Sequence, residues 1–276
     1  MAPDEAHEAE ADEEVHGSPW PIIVALGLGL IFASLGVYGT ALLNPLFLLG
    51  IAVFAGAVGG WVWDDFRGRR VPYVPGEMKG DEGTLQAFPT RKAAMWVFLA
   101  SEIMFFSGII GGSWAVRASF APDMWPPPGL ILNVPLTALN TFLLITSSLA
   151  MAEALHAIQQ GNQRAFVQRL LITLALGITF LSIQGTEYIA LIFEEGLTPF
   201  SSPDGWPAAY GSTFYIQTGF HGAHVTGGVI AMSYVTLKAR KGGFTAKNHG
   251  TVELMGLYWH FVDVVWIFLF TIVYLL

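Results

Sequence analysis

The chain has 276 residues, 53% of them hydrophobic and only 12% charged, with a mean hydropathy of +0.53; a soluble domain carries about a quarter charged residues. This composition excludes a disordered chain, a collagen and a disulfide scaffold, and the lack of cysteine removes thiolate nucleophiles, Cys-ligated zinc and iron–sulfur clusters. Of the net charge of −8, most sits in residues 1–18, where Asp4, Glu5, Glu8, Glu10, Asp12, Glu13 and Glu14 meet no Lys or Arg. That acidic tail is expected to be disordered, and no basic surface suited to nucleic acid appears.

Seven apolar stretches follow, at about residues 20–43, 46–63, 93–116, 135–157, 166–193, 211–237 and 253 to the C-terminus. Each approaches or exceeds the roughly 20 residues a helix needs to cross a bilayer. Strands are not expected, because a barrel shows alternating segments of about 10 residues. The fold class read from this pattern is an all-α membrane protein with seven transmembrane helices. The tail lacks the basic flank of a signal peptide, so the first apolar run is expected to stay as a span. Asn44-Pro45 marks a tight turn, and residues 64–92, with Pro72, Pro75, Gly76, Gly80 and Gly83, form a long polar loop. The expected division is a tail at 1–18, a two-helix hairpin at 19–63, an inner-side loop at 64–92 and a five-helix bundle at 93–276. Trp125-Pro126-Pro127-Pro128-Gly129 reads as a stiff turn, and residues 194–210, with three prolines, Trp206 and Tyr210, as an interfacial loop.

With seven spans, the tail and the loops after the second, fourth and sixth share a side. They hold 12 of the 13 Lys and Arg residues, and only Arg117 lies opposite. The positive-inside rule then places the N-terminus in the cytoplasm or an organelle matrix and the C-terminus outside.

Ionisable side chains in a bilayer core are costly unless paired, hydrated or neutralised, so each one in a span is a candidate. Glu102 lies about 15 Å into the third span, by the 1.5 Å rise per residue. It reads either as a proton-binding or lipid-organising site or as a protonated carboxyl bonded between helices. No Lys or Arg shares its depth, and His221 and His224 are expected in the outer half, so Glu102 is expected to hold a proton at neutral pH. His221 and His224 share a helix face; they read as a metal pair, with Glu187 as third ligand, or as interhelical hydrogen-bond formers among Gly219, Gly222, Gly227 and Gly228. His260 and Asp263, also three apart, read as a proton relay or an ion pair. Glu153 and His156 are expected near the interface, and Glu194 and Glu195 in solvent. No phosphate loop, HExxH or GxSxG motif occurs, and seven histidines, two of them in the tail, are too few for a haem-copper core.

The last five spans resemble one family, cytochrome c oxidase subunit III. The segments that carry the likeness include Ser101-Glu102-Ile103-Met104-Phe105-Phe106, Trp125-Pro126-Pro127, Leu139-Asn140-Thr141, Gly161-Asn162 and Glu187-Tyr188. The most specific are Tyr210-Gly211-Ser212-Thr213-Phe214, the stretch Thr218 to Val225 containing His221-Gly222-Ala223-His224, and Tyr258-Trp259-His260-Phe261-Val262-Asp263-Val264-Val265-Trp266. The likeness is strong over residues 90–276 and weaker before them.

The resemblance implies a V of two helices against five with ordered phospholipid in the cleft. It implies no haem or copper in this chain; those belong to partners, a catalytic haem-copper subunit I and a copper-bearing subunit II. The implied role is to stabilise the catalytic subunit and support proton uptake from the inner side. By position, Glu102 matches the family's buried glutamate, and Trp61, Arg67 and Lys92 match contacts to anionic phospholipid. Val62 and Gly68 depart from the family pattern beside that lipid site. The expected location is the plasma membrane of a prokaryote ahead of the mitochondrial inner membrane. Alternatives are the matching subunit of a quinol oxidase or a nitric-oxide reductase-associated protein and, more distantly, a stand-alone proton-coupled transporter.

Overall fold

The structure, a computed structural model, describes residues 19–38, 44–66, 90–203 and 205–276. The acidic tail and nearly all of the 64–92 loop, including Arg67, lie outside the described residues. The long regular elements among the described residues are all helices: α1 Trp20–Tyr38, α2 Pro45–Phe66, α3 Thr90–Ala118, α4 Val134–Gln159, α5 Gln163–Phe193, α6 Ala208–Arg240 and α7 Gly250–Leu269. A 3₁₀ turn at Pro122–Met124 follows α3. The chain divides into two compact units, residues 1–85 and 86–276.

In the first unit, Asn44 caps α2 by accepting the Phe47 N–H at 2.8 Å, and Pro45 supplies the preset φ of a first helical residue. The helices α1 and α2 approach backbone to backbone. A Cβ on Gly27 would lie 2.6 Å from the Phe54 nitrogen, and one on Gly50 would lie 2.8 Å from the Ile31 nitrogen. Only glycine permits that spacing.

In the second unit, Asn133 and Asn162 cap α4 and α5 by accepting the N–H groups of Leu136 and Ala165. Gly161, at φ 76°, makes the left-handed step that joins these two helices closely. The buried residues of α5 run Phe166, Leu170, Thr173, Gly177, Phe180, Gln184, Glu187 and Leu191, alternating four and three apart. Those of α6 include Gly211, Phe214, Thr218, His221, Val225, Gly228, Met232, Val235 and Ala239 in the same rhythm. A 3.5-residue repeat keeps one seam of each helix against its neighbours over the whole length. Without a hydrophobic drive between helices in lipid, the seam works by shape and hydrogen bonds. Trp259 of α7 is the central example. Its ring sits where a Cβ on either Gly177 or Gly228 would come within 2.8 Å, and its Nε1–H donates to Ser147 Oγ at 2.9 Å. About two turns on, Trp266 Nε1–H donates to Thr141 Oγ1 at 2.9 Å.

From α2 to α7 the helices run a few residues past the apolar stretches, into polar end residues such as Thr90, Arg91 and Lys92 of α3 and Arg240 of α6. Among the described residues, four helices are long and apolar enough to cross a membrane: Arg91–Ala118, Val134–Gln159, Gln163–Phe193 and Gly250–Leu275. α6 has 33 residues but is more polar, and it buries Gln217, Thr218, His221 and Thr236 in its seam. The last span departs from a uniform α-helix: Phe270–Leu275 wind as a π-helix, and the wider turn carries Tyr274 fully into the core.

Candidate functional site

Glu102 stands near the middle of α3 and His224 near the middle of α6, and the two meet. His224 Nε2 lies 3.0 Å from Glu102 Oε2, with both side chains a little under one fifth exposed. The expectation that His224 falls at a different depth is therefore corrected. His224 is the midpoint of α6, Ala208–Arg240, and Glu102 lies two residues from the midpoint of α3, Thr90–Ala118, so the two side chains sit level. His224 Nδ1 faces the Phe220 carbonyl at 2.7 Å, so that nitrogen carries a hydrogen and donates. The opposite nitrogen then either accepts from a Glu102 carboxylic acid or donates to its carboxylate, and one proton satisfies the contact in both forms. Phe106 packs edge-on against the imidazole at 4.9 Å, and the Tyr258 hydroxyl donates to the His224 carbonyl at 3.0 Å.

His221 faces elsewhere. Its Nε2 bonds to the Val262 carbonyl at 3.2 Å and its ring lies 4.7 Å from Trp266, fully buried, with Nδ1 unpartnered among the described residues. Because a carbonyl only accepts, Nε2 carries a hydrogen and donates it. Glu187 is separate from both histidines. It accepts from Thr137 Oγ1 at 3.1 Å and from the Tyr274 hydroxyl at 3.2 Å, which ties α5 to α4 and to the C-terminal π-helix. The combination of Glu187 with His221 and His224 does not form a shared ligand set, and no group of three His, Cys, Asp or Glu side chains converges among the described residues. Beside Glu187, the α4–α5 end opens a groove of about 550 Å³ lined in part by Asn133, Thr186, Glu194 and Glu195.

His260 and Asp263 share a face of α7 but make no ion pair with each other. His260 Nδ1 lies 2.5 Å from Ser148 Oγ on α4. Asp263 is 4% exposed, and neither carboxyl oxygen has a formed hydrogen bond among the described residues. Glu153 pairs with Arg169 at 2.7 Å, and His156 contacts Gln160, so those two neighbours on α4 also look away from each other.

Of the residues aligned with lipid contacts, Trp61 is 47% exposed on α2, and Lys92 pairs with Glu253 at 3.3 Å with about a third of its side chain open. Arg67 is outside the described residues. The side chains that sequence reading missed are the partners: Ser148, Thr137, Tyr274 and Tyr258. Serine, threonine and tyrosine occur throughout these helices and carry no signal of their own. The only hint was that Thr137 and Ser148 fall on the same face of α4 as Asn140, Thr141 and Ser147.

The family model for cytochrome c oxidase subunit III matches residues 13–276. Among curated proteins, the cytochrome c oxidase subunit 3 of Felis catus is 34% identical over 281 residues, covering 97% of this chain and 98% of the relative. The subunit 3 of Latimeria chalumnae is 34% identical over 285 residues, with 98% of each chain covered. That of Pongo abelii is 35% identical over 279 residues, again with 98% of each covered.

Proposed function

The chain belongs to the cytochrome c oxidase subunit III family, and on that premise we propose that it is the non-catalytic third subunit of a proton-pumping terminal oxidase. Haem and copper reside in its partners, a catalytic subunit I and a copper-bearing subunit II, and this chain stabilises the catalytic subunit during turnover. The observation that carries the reading is the match along nearly the whole chain, at full length on both sides. The quinol-oxidase and transporter alternatives gain nothing from relatives that all carry the cytochrome c oxidase subunit 3 name.

The finer proposal has seven spans with the N-terminus inside and the C-terminus outside, supported by the 12 to 1 division of basic residues. Arg67, Lys92 and Trp61 are proposed contacts of anionic phospholipid, since guanidinium and ammonium groups pair with headgroup phosphates. Glu102 is the proton-linked residue, and its contact with His224 supports that role because the pair accommodates one proton in either of two positions. The proposed location is a prokaryotic plasma membrane. The vertebrate origin of the relatives favours a second location, the mitochondrial inner membrane, and membrane fractionation separates the two.

The test of the role is turnover of the complex with and without this chain. The complete oxidase sustains activity through many turnovers. Complex stripped of the chain starts at a similar rate and then inactivates. Equal persistence of both preparations contradicts the stabilising role.

A further inference from the structure

At the end of α3 opposite Lys92, a small pocket opens between α3, α6 and the C-terminal π-helix. Arg117 stands there. Its guanidinium carbon lies 5.6 Å from the Trp114 ring centre and 5.8 Å from that of Trp125, so two indoles hold the cation. Nη2 donates to the Leu276 backbone oxygen at 2.6 Å, which uses one of the five N–H donors. No carboxylate lines the pocket among the described residues. Gln217 of α6 does line it, and is only 5% exposed. Its Nε2–H donates to the Thr213 carbonyl at 3.1 Å. That bond fixes the amide orientation and leaves Oε1 a shielded acceptor with no partner among the described residues. Side chains lean toward the N-terminus of their own helix. α6 begins where α3 ends, so Arg117 leans inward along α3, Gln217 leans outward along α6, and both reach the same pocket. The hydroxyls of Ser113 and Tyr210 add to the polar lining.

We propose that this pocket binds the headgroup of a phospholipid whose phosphate pairs with Arg117 and whose terminal hydroxyl donates to Gln217 Oε1, the chemistry of phosphatidylglycerol. The phosphate fits because a guanidinium presents paired N–H groups to two phosphate oxygens, and indoles belong at a membrane–water interface. Space decides the rest. The pocket encloses about 30 Å³, close to the share of one water in the liquid. The phosphate therefore stays at the mouth, and only the end of a headgroup enters. A buried carbonyl oxygen needs a donor. A trimethylammonium end offers none and is too large. An ammonium end brings a second cation beside Arg117 with no carboxylate to answer it. A hydroxyl end donates and carries no charge. The site shares no residue with Trp61, Arg67 and Lys92. Arg117 lies 25 residues along α3 from Lys92, roughly 37 Å by the rise per residue. The pocket therefore faces the other membrane surface, and it stands whether or not those three residues bind lipid.

The test uses the purified complex, depleted of lipid in detergent, and phosphatidylglycerol with a photoreactive group on an acyl chain close to the glycerol backbone. Mass spectrometry of the cross-linked peptides finds label on the segments around Arg117 and Gln217. Unlabelled phosphatidylglycerol displaces it at about tenfold lower concentration than phosphatidylmethanol, which has the same charge but no terminal hydroxyl; one hydrogen bond to a buried acceptor supplies a factor of that order. Phosphatidylethanolamine also competes less well than phosphatidylglycerol, and soluble glycerol phosphate does not compete. Gln217→Leu makes phosphatidylglycerol and phosphatidylmethanol equal, and Arg117→Gln weakens both. Arg67→Ala with Lys92→Ala leaves this label in place. No label at these segments overturns the proposal, as does equal competition by the two anionic lipids in wild type or a preference that survives Gln217→Leu. Displacement by glycerol phosphate makes this a site for free phosphate and overturns the lipid assignment. The wild-type competition decides the matter even where a variant does not assemble.

Discussion

Glu102 of α3 and His224 of α6, 122 residues apart in sequence, meet at 3.0 Å, and the second imidazole nitrogen is already committed to the Phe220 carbonyl. The contact therefore links two helices and fixes the histidine ring. Hydrogen bonds that involve a charged group contribute about 1.5–3 kcal/mol. Glu102→Ala and His224→Ala should each lower the stability of the assembled complex by an amount of that order. The double variant should cost clearly less than the sum, since the second deletion removes a partner already lost. Thermal unfolding of the four proteins measures this, and strictly additive losses contradict a direct pair.

The Trp259 ring occupies the space that Gly177 and Gly228 leave open. Adding one methyl at either position overfills a packed seam, which costs about 1–3 kcal/mol. Gly228→Ala and Gly177→Ala should each lower the midpoint of thermal unfolding. Gly185→Ala, where a Cβ meets nothing within 4 Å, should leave it unchanged or raise it slightly. A midpoint unchanged in all three variants contradicts the account of the seam.

Tyr274 and Thr137 are the two hydrogen-bond donors to Glu187. Removing one leaves a buried acceptor short of a partner, at a cost of about 1–3 kcal/mol. Tyr274→Phe keeps the ring and deletes only the hydroxyl, so its loss reports on that bond. The same change in a Glu187→Gln background should cost less. Amide exchange in the C-terminal turn should quicken in Tyr274→Phe, and unchanged protection there counts against the contact.

The fold was legible where the pattern is physical and long. Runs of apolar residues near bilayer length mark the seven helices, and Asn44-Pro45, Asn133 and Gly161-Asn162 mark their caps and turns. The site was legible as a set of ionisable residues on the right helices, but the pairing among them was not. Glu102 found His224 because the register of α3 against α6 is set by packing along the whole seam, which no local spacing encodes. His260 and Asp263, three apart on one face, suggested each other, yet His260 turns to Ser148 of α4 instead. The π-turn that turns Tyr274 inward leaves no mark in hydrophobicity at all.

Lys92 has a carboxylate partner in Glu253 and remains a third open, so a headgroup phosphate and Glu253 compete for it. Lys92→Ala combined with Arg67→Ala should lower the number of anionic phospholipids that stay with the complex through detergent exchange. Glu253→Ala, which frees the ammonium, should hold or raise that number. Lipid extraction and phosphorus counting give the result, and equal retention in all variants contradicts the assignment of these residues to lipid.

The central claim is that this chain works as an accessory subunit of a haem-bearing oxidase. Its most direct test is purification of the tagged chain from its native membrane in mild detergent, followed by a reduced-minus-oxidised spectrum and an assay of cytochrome c oxidation. The account predicts stoichiometric haem in co-purifying subunits, with oxidase activity in the same fraction, and no haem in the chain once those subunits are removed. A chain that purifies alone, without a haem-bearing partner, contradicts it.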